Sequence, residues 1–213
     1  MQVAVVVLAA GQGRRMGAGI NKVFLPLGGE PVLLHSLRIF QDAPQVTQII
    51  VAAASGEVQR VKDLLCTGGI TKAATVVEGG STRLRSVAAA LPHISVQTDF
   101  VAIHDGARPL LSAADFKAVL TAAVTPGVAG AILAAPVTDT IKALSAAPVK
   151  GRGEVLGRIA ASPARELLWR ALTPQVFAVE PLLEAYSTLD KDFTDDAALL
   201  AAAGCEVALV WGS

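Results

Sequence analysis

A single-domain α/β fold, Rossmann-like, with a mostly parallel sheet and helices on both faces, is predicted by three features of this sequence. They are an apolar, β-branched first strand, a repeated alternation of strand-like and helix-like segments, and a core composition poor in aromatic residues. Of the 213 residues, 53% are hydrophobic but only 4% aromatic, so Ala, Val and Leu must fill the interior through close strand and helix contacts. That length suits one domain over residues 1–213 better than two.

The elements follow in order. Val3 to Leu8 is a continuous apolar run ending in Ala9-Ala10-Gly11, the pattern of a strand buried on both faces of a parallel sheet. After a Gly28-Gly29 turn, Pro31 opens a helix whose Leu34, Leu37 and Phe40 recur at helical spacing, and Gln48 to Ala53 reads as the next strand. The alternation continues with a helix near Glu57 to Leu65, a strand near Ala74 to Val77, a helix near Ser81 to Leu91 and a strand from Phe100 to Ile103. A helix from Ala113 to Ala123 then leads into a strand from Ala131 to Ala135. From Val137 to Pro163 the pattern breaks: Lys142, Lys150, Arg152 and Arg158 stand among Gly, Pro and small residues, as expected for a surface loop or a protruding β-arm. Helices near Pro181 to Leu189 and Asp195 to Ala203, then a strand from Val207 to Trp211, close the chain.

Composition excludes several functions. Eighteen basic residues balance 18 acidic ones, which leaves no general electrostatic footprint for nucleic acid or an anionic membrane. No apolar stretch approaches the roughly 18 to 20 residues needed to cross a bilayer. Val3 to Ala10 is not a signal-peptide core, because no basic residue precedes it and Arg14 and Arg15 come afterwards. Cys66 and Cys205 lie far apart with no CxxC partner, which fits neither a zinc site nor a disulfide scaffold and points to a reducing cytoplasm.

In such a sheet, ligands sit beyond the carboxyl ends of the strands, so the loops at Gly11, Gly79, Asp105 and Val137 are expected to converge at one rim. The loop Gly11-Gln12-Gly13-Arg14-Arg15-Met16-Gly17 puts small residues where backbone N–H groups can approach an anion. It is not a dinucleotide fingerprint, since Met16 replaces the third glycine, and not a Walker A loop, since its lysine arrives late, in Asn21-Lys22. What remains is a glycine loop whose separated cations, Arg15 and Lys22, can bracket a triphosphate. The plain alternative is a solvated loop with incidental basic residues.

Asp105 follows a strand end and can bind a ribose hydroxyl, a substrate or a hydrated metal; alternatively it forms an Asx turn. Gly79, Gly80 and Ser86 surround a helix start, where they either read a base edge or only cap the helix. His35, His93 and His104 are too scattered for a metal site, and His104 reads as a structural neighbour of Asp105; no protein metal site is expected.

The glycine loop with Lys22, the segment Val101 to Pro109, the run Pro136-Val137-Thr138-Asp139-Thr140-Ile141-Lys142, the run Leu172-Thr173-Pro174-Gln175-Val176-Phe177 and Thr194-Asp195-Asp196-Ala197 occur in the order of one enzyme family. Over essentially its whole length the sequence resembles the 2-C-methyl-D-erythritol 4-phosphate cytidylyltransferases. The resemblance implies a nucleotidyltransferase fold and transfer of CMP from CTP to methylerythritol phosphate, with release of pyrophosphate, on the non-mevalonate route to isoprenoid precursors. It also implies Mg²⁺ held mainly by the CTP phosphates and water, and a homodimer built through an arm over residues 137–163. Carried over by position, Arg15 and Lys22 stabilise the α-phosphate transition state, while Ala9, Ala10, Gly11 and Gly13 line the nucleotide. Gly80, Ser81 and Ser86 fall at cytosine-reading positions. Asp105 lies near ribose and substrate, and Arg108, Thr140, Arg165 and Thr173 fall with the acceptor-binding residues, Arg165 also with the catalytic ones. Some of these are implied to come from a partner subunit.

The family continues past its last strand into an Asn-Ile-Lys-like segment whose lysine positions the acceptor phosphate, whereas this sequence ends at Trp211-Gly212-Ser213. The expectation is a truncated C-terminal end, weakened turnover and retained CTP binding. The rival readings are a cytidylyltransferase for a pentitol phosphate such as ribitol 5-phosphate, and a CTP-binding module without turnover.

Overall fold

The computed structural model describes residues 1–11, 21–145, 157–188 and 192–212. Strand β1 (Val3–Ala9) runs through the middle of a seven-stranded sheet, with every residue but Leu8 buried. A short hairpin, β2 (Pro26–Leu27) and β3 (Glu30–Pro31), turns through Gly28 and Gly29, whose φ angles of 60° and 91° are the left-handed pair that a two-residue hairpin turn demands. Helix α1 (Val32–Asp42) buries Leu33, Leu34, Leu37 and Phe40, each contributing about 2 kcal/mol through lost apolar exposure. Then come β4 (Val46–Ala53), α2 (Val58–Thr67), β5 (Thr75–Glu78), α3 (Arg83–Ala90), β6 (Phe100–Asp105), α4 (Ala113–Ala123) and β7 (Gly130–Pro136). The sequence predicts each of these seven elements to within a few residues.

After β7 the chain forms a separate antiparallel pair, β8 (Ala143–Leu144) with β9 (Ile159–Ala161), whose connecting residues 146–156 lie outside the described ones. Strand β10 (Trp169–Ala178), helices α5 (Val179–Ser187) and α6 (Asp196–Ala202) and strand β11 (Val207–Trp211) complete the chain. The strand order is β11-β7-β10-β6-β1-β4-β5. All neighbours are parallel except β10, which runs antiparallel to both β6 and β7. Connections leave β1 toward β4 on one side and reach β6 on the other, so the topological switch lies between β1 and β6, where α/β sheets open a ligand crevice.

Strand β10 is the element that the alternation did not reveal. Pro174 lies in its middle, and a proline there argues against a central strand because it cannot donate to a ladder. The chain accommodates it with a shift of register against β7 between Ala171 and Gln175, and the Thr173-Pro174 peptide is cis.

The alternation of side chains along β1 splits the core in two. Val3, Val5 and Val7 face a cluster with Leu33, Leu37 and Phe40 of α1, Val61 of α2 and Phe116 and Val119 of α4. Val6 faces Val87 of α3, Leu182 of α5 and Leu200 of α6 on the other side. Helices therefore cover both faces, and the polar rim is left to the strand ends.

Candidate active site

Register fixes what meets at the rim. Ala9 pairs with Ala53, Ala53 with Glu78, and Leu8 with Asp105, so the carboxyl ends of β1, β4, β5 and β6 finish side by side. Immediately beyond them a cavity of about 200 Å³ is lined by Ala10, Ala54, Ser55, Gly79, Gly80 and Ser81. Ala10, Gly80 and Ser81 were expected there from the sequence. Ala54 and Ser55 were not, although they follow β4 as Ala10 follows β1, and the same strand-end argument identifies them. Close packing shapes the cavity: a Cβ on Gly79 would lie 2.6 Å from Cβ of Ala10, and one on Gly80 would lie 2.4 Å from Cβ of Arg85. Ser86 lies behind this wall, 3% exposed, donating its hydroxyl to the carbonyls of Thr82 at 2.9 Å and Gly80 at 3.3 Å. A larger groove of about 370 Å³ between α2 and β5, lined by Lys62, Leu65, Cys66, Ile70 and Val76 among others, includes none of the strand-end residues of the rim.

The glycine loop is framed by its two ends. Ala9 is 1% exposed, Ala10 and Gly11 follow it, and Lys22 begins a 3₁₀ turn over Lys22–Phe24 that is anchored by buried Val23 and Phe24. Gly13 and Arg15 lie outside the described residues.

Around Asp105 the structure assembles charges that the sequence did not connect. Nε of Arg108 lies 2.9 Å from one Asp105 carboxylate oxygen, and Nε of Arg83 lies 3.6 Å from the other. Arg83, at the start of α3, also pairs with Asp196 in the first turn of α6, a fully buried carboxylate that accepts the Tyr186 hydroxyl at 2.5 Å. Burial opposes the charge on Arg83, but Asp196 and then Asp105 hold it above the ordinary guanidinium range. Burial and the adjacent carboxylate push the Tyr186 phenol up, so it remains a donor. The pairing of Arg83 with Asp196 is not legible in the sequence, because the two stand more than 100 residues apart; only the fold makes them a pair.

Buried His104 sits beneath this group. Its Nε2 lies 3.1 Å from the Arg108 carbonyl, its Nδ1 lies 3.1 Å from the Thr173 hydroxyl, and the Asp105 N–H donates to that same hydroxyl at 3.3 Å. Burial pushes the imidazole down to about 4, so the ring is neutral. Asp105, Arg108 and Thr173 are thus brought together.

Thr140 and Arg165 are not part of that group. Both are exposed beside the β8–β9 pair, where Nη1 of Arg165 donates to the Thr138 carbonyl at 2.9 Å. None of the hydrogen bonds or ion pairs among the described residues joins them to Asp105, Arg108 or Lys22.

An open α/β sheet whose switch-point rim gathers a small-residue strand end, a lysine turn and an arginine-flanked carboxylate is the framework expected of a nucleotidyltransferase. Residues 3–213 match the model of the family IspD, 2-C-methyl-D-erythritol 4-phosphate cytidylyltransferase. The chain belongs to this family. Two relatives of that description, from Symbiobacterium thermophilum and Halalkalibacterium halodurans, are 40% and 38% identical, over 99% and 100% of this chain and 84% and 89% of their own lengths. The crystal structure of the Thermus thermophilus cytidylyltransferase superposes with a TM-score of 0.73 at 33% identity, covering 98% of this chain and 88% of that one. A synthase structure from Anaerococcus prevotii shares the fold at a TM-score of 0.82 and 22% identity, over 100% of this chain and 87% of its own.

Proposed function

We propose that the rim carries out the reaction that names the family, cytidylyl transfer from CTP to 2-C-methyl-D-erythritol 4-phosphate in isoprenoid precursor biosynthesis. A phosphate oxygen of the acceptor attacks the α-phosphorus of CTP, the bond to the β-phosphate breaks, and pyrophosphate leaves with the electron pair. The observation that supports this most directly is the register that aligns the ends of β1, β4, β5 and β6 beside the cavity of about 200 Å³, with Lys22 at the exit of the glycine loop. The acceptor phosphate is already ionised near neutral pH, so the site needs alignment and positive charge rather than a general base. His104 agrees with this division of labour, because both its ring nitrogens are engaged within the fold.

In this reading Arg15 and Lys22 stabilise charge at the α-phosphate, Ala9, Ala10, Gly11 and Gly13 let the triphosphate approach the backbone, and Gly80 and Ser81 face cytosine with Ser86 bonded to the Gly80 carbonyl behind them. Asp105 serves ribose and acceptor, and Arg108, Thr140, Arg165 and Thr173 hold the acceptor. Among the described residues no three His, Cys, Asp or Glu side chains are grouped to hold a metal. Asp105 at the rim faces Arg83 and Arg108, so it offers a metal little free charge, which fits Mg²⁺ held mainly by triphosphate oxygens and water. Such an ion, when bound, neutralises the triphosphate and improves pyrophosphate as a leaving group. We assign the β8–β9 pair to a homodimer arm, and two free cysteines accord with a reducing cytoplasm. No described helix is long and apolar enough to cross a membrane.

The test is pyrophosphate release with CTP, UTP or ATP as donor, and methylerythritol phosphate or ribitol 5-phosphate as acceptor. Release confined to CTP with methylerythritol phosphate is expected. Faster release with the pentitol phosphate, or CTP binding without release, would sink the reading.

A further inference from the structure

Asn21, the residue before Lys22, is 7% exposed and uses its whole carboxamide. Its Nδ2 donates to the Ala9 carbonyl at 2.7 Å and to Oε2 of Glu57 at 2.7 Å, while its Oδ1 accepts the Val23 N–H at 3.4 Å. One side chain thus ties together the last residue of β1, the residue preceding α2 and the turn that begins at Lys22. Glu57 in turn donates its N–H to the carbonyl of Ala54, which lines the rim cavity.

The turn does not need Asn21 to stay on the protein. Val23 and Phe24 are buried at 2% and 9% exposure, and the Arg60 guanidinium stacks 3.8 Å from the centre of the Phe24 ring. Apolar anchors of this kind hold a turn in place but do not set its register against a neighbouring strand end; directional hydrogen bonds do. The Asn21 to Ala9 bond spans the two ends of the glycine loop, so it fixes where the residue after Asn21 stands relative to the end of β1. We propose that Asn21 is a positioning residue for Lys22: through Ala9 and Glu57 it sets the point from which the lysine ammonium reaches the α-phosphate. The proposal rests on the reading of Lys22 given above.

A misplacement of a transition-state cation costs turnover more than ground-state binding. Steady-state pyrophosphate release by the full chain is therefore measured for Asn21→Ala, Lys22→Ala and the double variant. Asn21→Ala is expected to lower kcat about tenfold or more while the KM for CTP stays within about twofold. In the Lys22→Ala background the Asn21 change should add nothing, because the group it positions is gone. Losses that multiply in the double variant would make Asn21 a general structural residue and overturn the proposal. Wild-type kcat for Lys22→Ala would instead remove the reading of Lys22, so the two failures are distinct. If Asn21→Ala does not fold, Glu57→Ala removes one of the three bonds at a half-exposed position. It should give a smaller kcat loss that also vanishes without Lys22, and a loss that persists there counts against the proposal.

Discussion

The hydroxyl of Thr173 stands between Nδ1 of His104, 3.1 Å away, and the N–H of Asp105, 3.3 Å away, so one side chain from β10 holds the end of β6. The Arg108 carbonyl can only accept, which places the imidazole proton on Nε2 and leaves Nδ1 to accept the threonine hydroxyl. The Asp105-to-Arg108 turn is therefore pinned at both ends, by the Thr173 hydroxyl at Asp105 and by the His104 imidazole at Arg108.

Thr173→Val keeps the shape of the side chain and removes its hydrogen bonds. It leaves the Asp105 N–H and His104 Nδ1 unsatisfied in a largely buried place, which costs about 1–3 kcal/mol. Urea denaturation should show that loss, and the KM for the acceptor should rise. Thr173→Ser should restore both; stability unchanged by the valine would contradict the network.

A second prediction concerns pH. His104 titrates at about 4 in the folded chain against an ordinary 6.5, chiefly because of burial. Between these values the unfolded chain binds more protons than the folded one, so stability rises with pH from 4 to 6.5 and gains nothing from this group above that. The full window amounts to about 3 kcal/mol. Unfolding free energies of the wild type and of His104→Gln, measured from pH 4.5 to 7.5, should differ in slope, with the variant flatter below pH 6.5. Parallel curves would show that His104 does not carry this dependence.

The rim itself was legible because strand ends announce themselves: the apolar run into Ala9, and the strands into Ala53 and Asp105, each stop at small or polar residues, and a parallel sheet brings such stops together. What joins the rim from across the fold was not. Arg83 falls inside the predicted helix from Ser81 to Leu91 and Asp196 inside that from Asp195 to Ala203, and nothing in the sequence links them, because their pairing depends on packing α6 against the same face as α3. Strand β10 was hidden by Pro174 for a related reason: the irregularity that disguises it in the sequence is absorbed by a change of register visible only in three dimensions.

That buried pair gives a third prediction. Asp196→Asn leaves the Arg83 guanidinium without its principal counter-charge, and breaking a buried pair from one side costs about 3–5 kcal/mol. Tyr186→Phe removes only a hydrogen bond and should cost about 1 kcal/mol. Thermal unfolding ranks the two; equal effects would mean that the charge pair contributes nothing beyond the phenol.

Two glycines at the same rim should behave oppositely. A Cβ at Gly80 meets Arg85 backbone atoms at 2.8 Å, whereas one at Gly11 meets nothing within 4 Å among the described residues. Gly80→Ala is expected to destabilise the chain by about 1–3 kcal/mol. Gly11→Ala should change stability by no more than about 0.5 kcal/mol, so any loss of CTP binding there reports on the approach of the nucleotide itself. Calorimetric titration with CTP beside denaturant melts separates the two; a strongly destabilised Gly11→Ala would contradict the open space.

The acceptor side of the site gives the last prediction. Arg165 and Thr140 stand exposed beside the β8–β9 pair, and among the described residues Arg165 is held by the Thr138 carbonyl rather than by any residue of its own rim. If the pair is a homodimer arm, these groups serve the partner's rim, and each site combines the glycine loop of one subunit with the arm of the other. Arg15→Ala and Arg165→Ala chains should each be nearly inactive alone. Mixed in equal amounts and allowed to exchange, half the dimers become heterodimers, and in each of these one site of two is intact. Recovery of about a quarter of wild-type turnover follows. No recovery, with heterodimers demonstrated by native mass spectrometry, would place Arg165 in the site of its own chain or outside the site altogether.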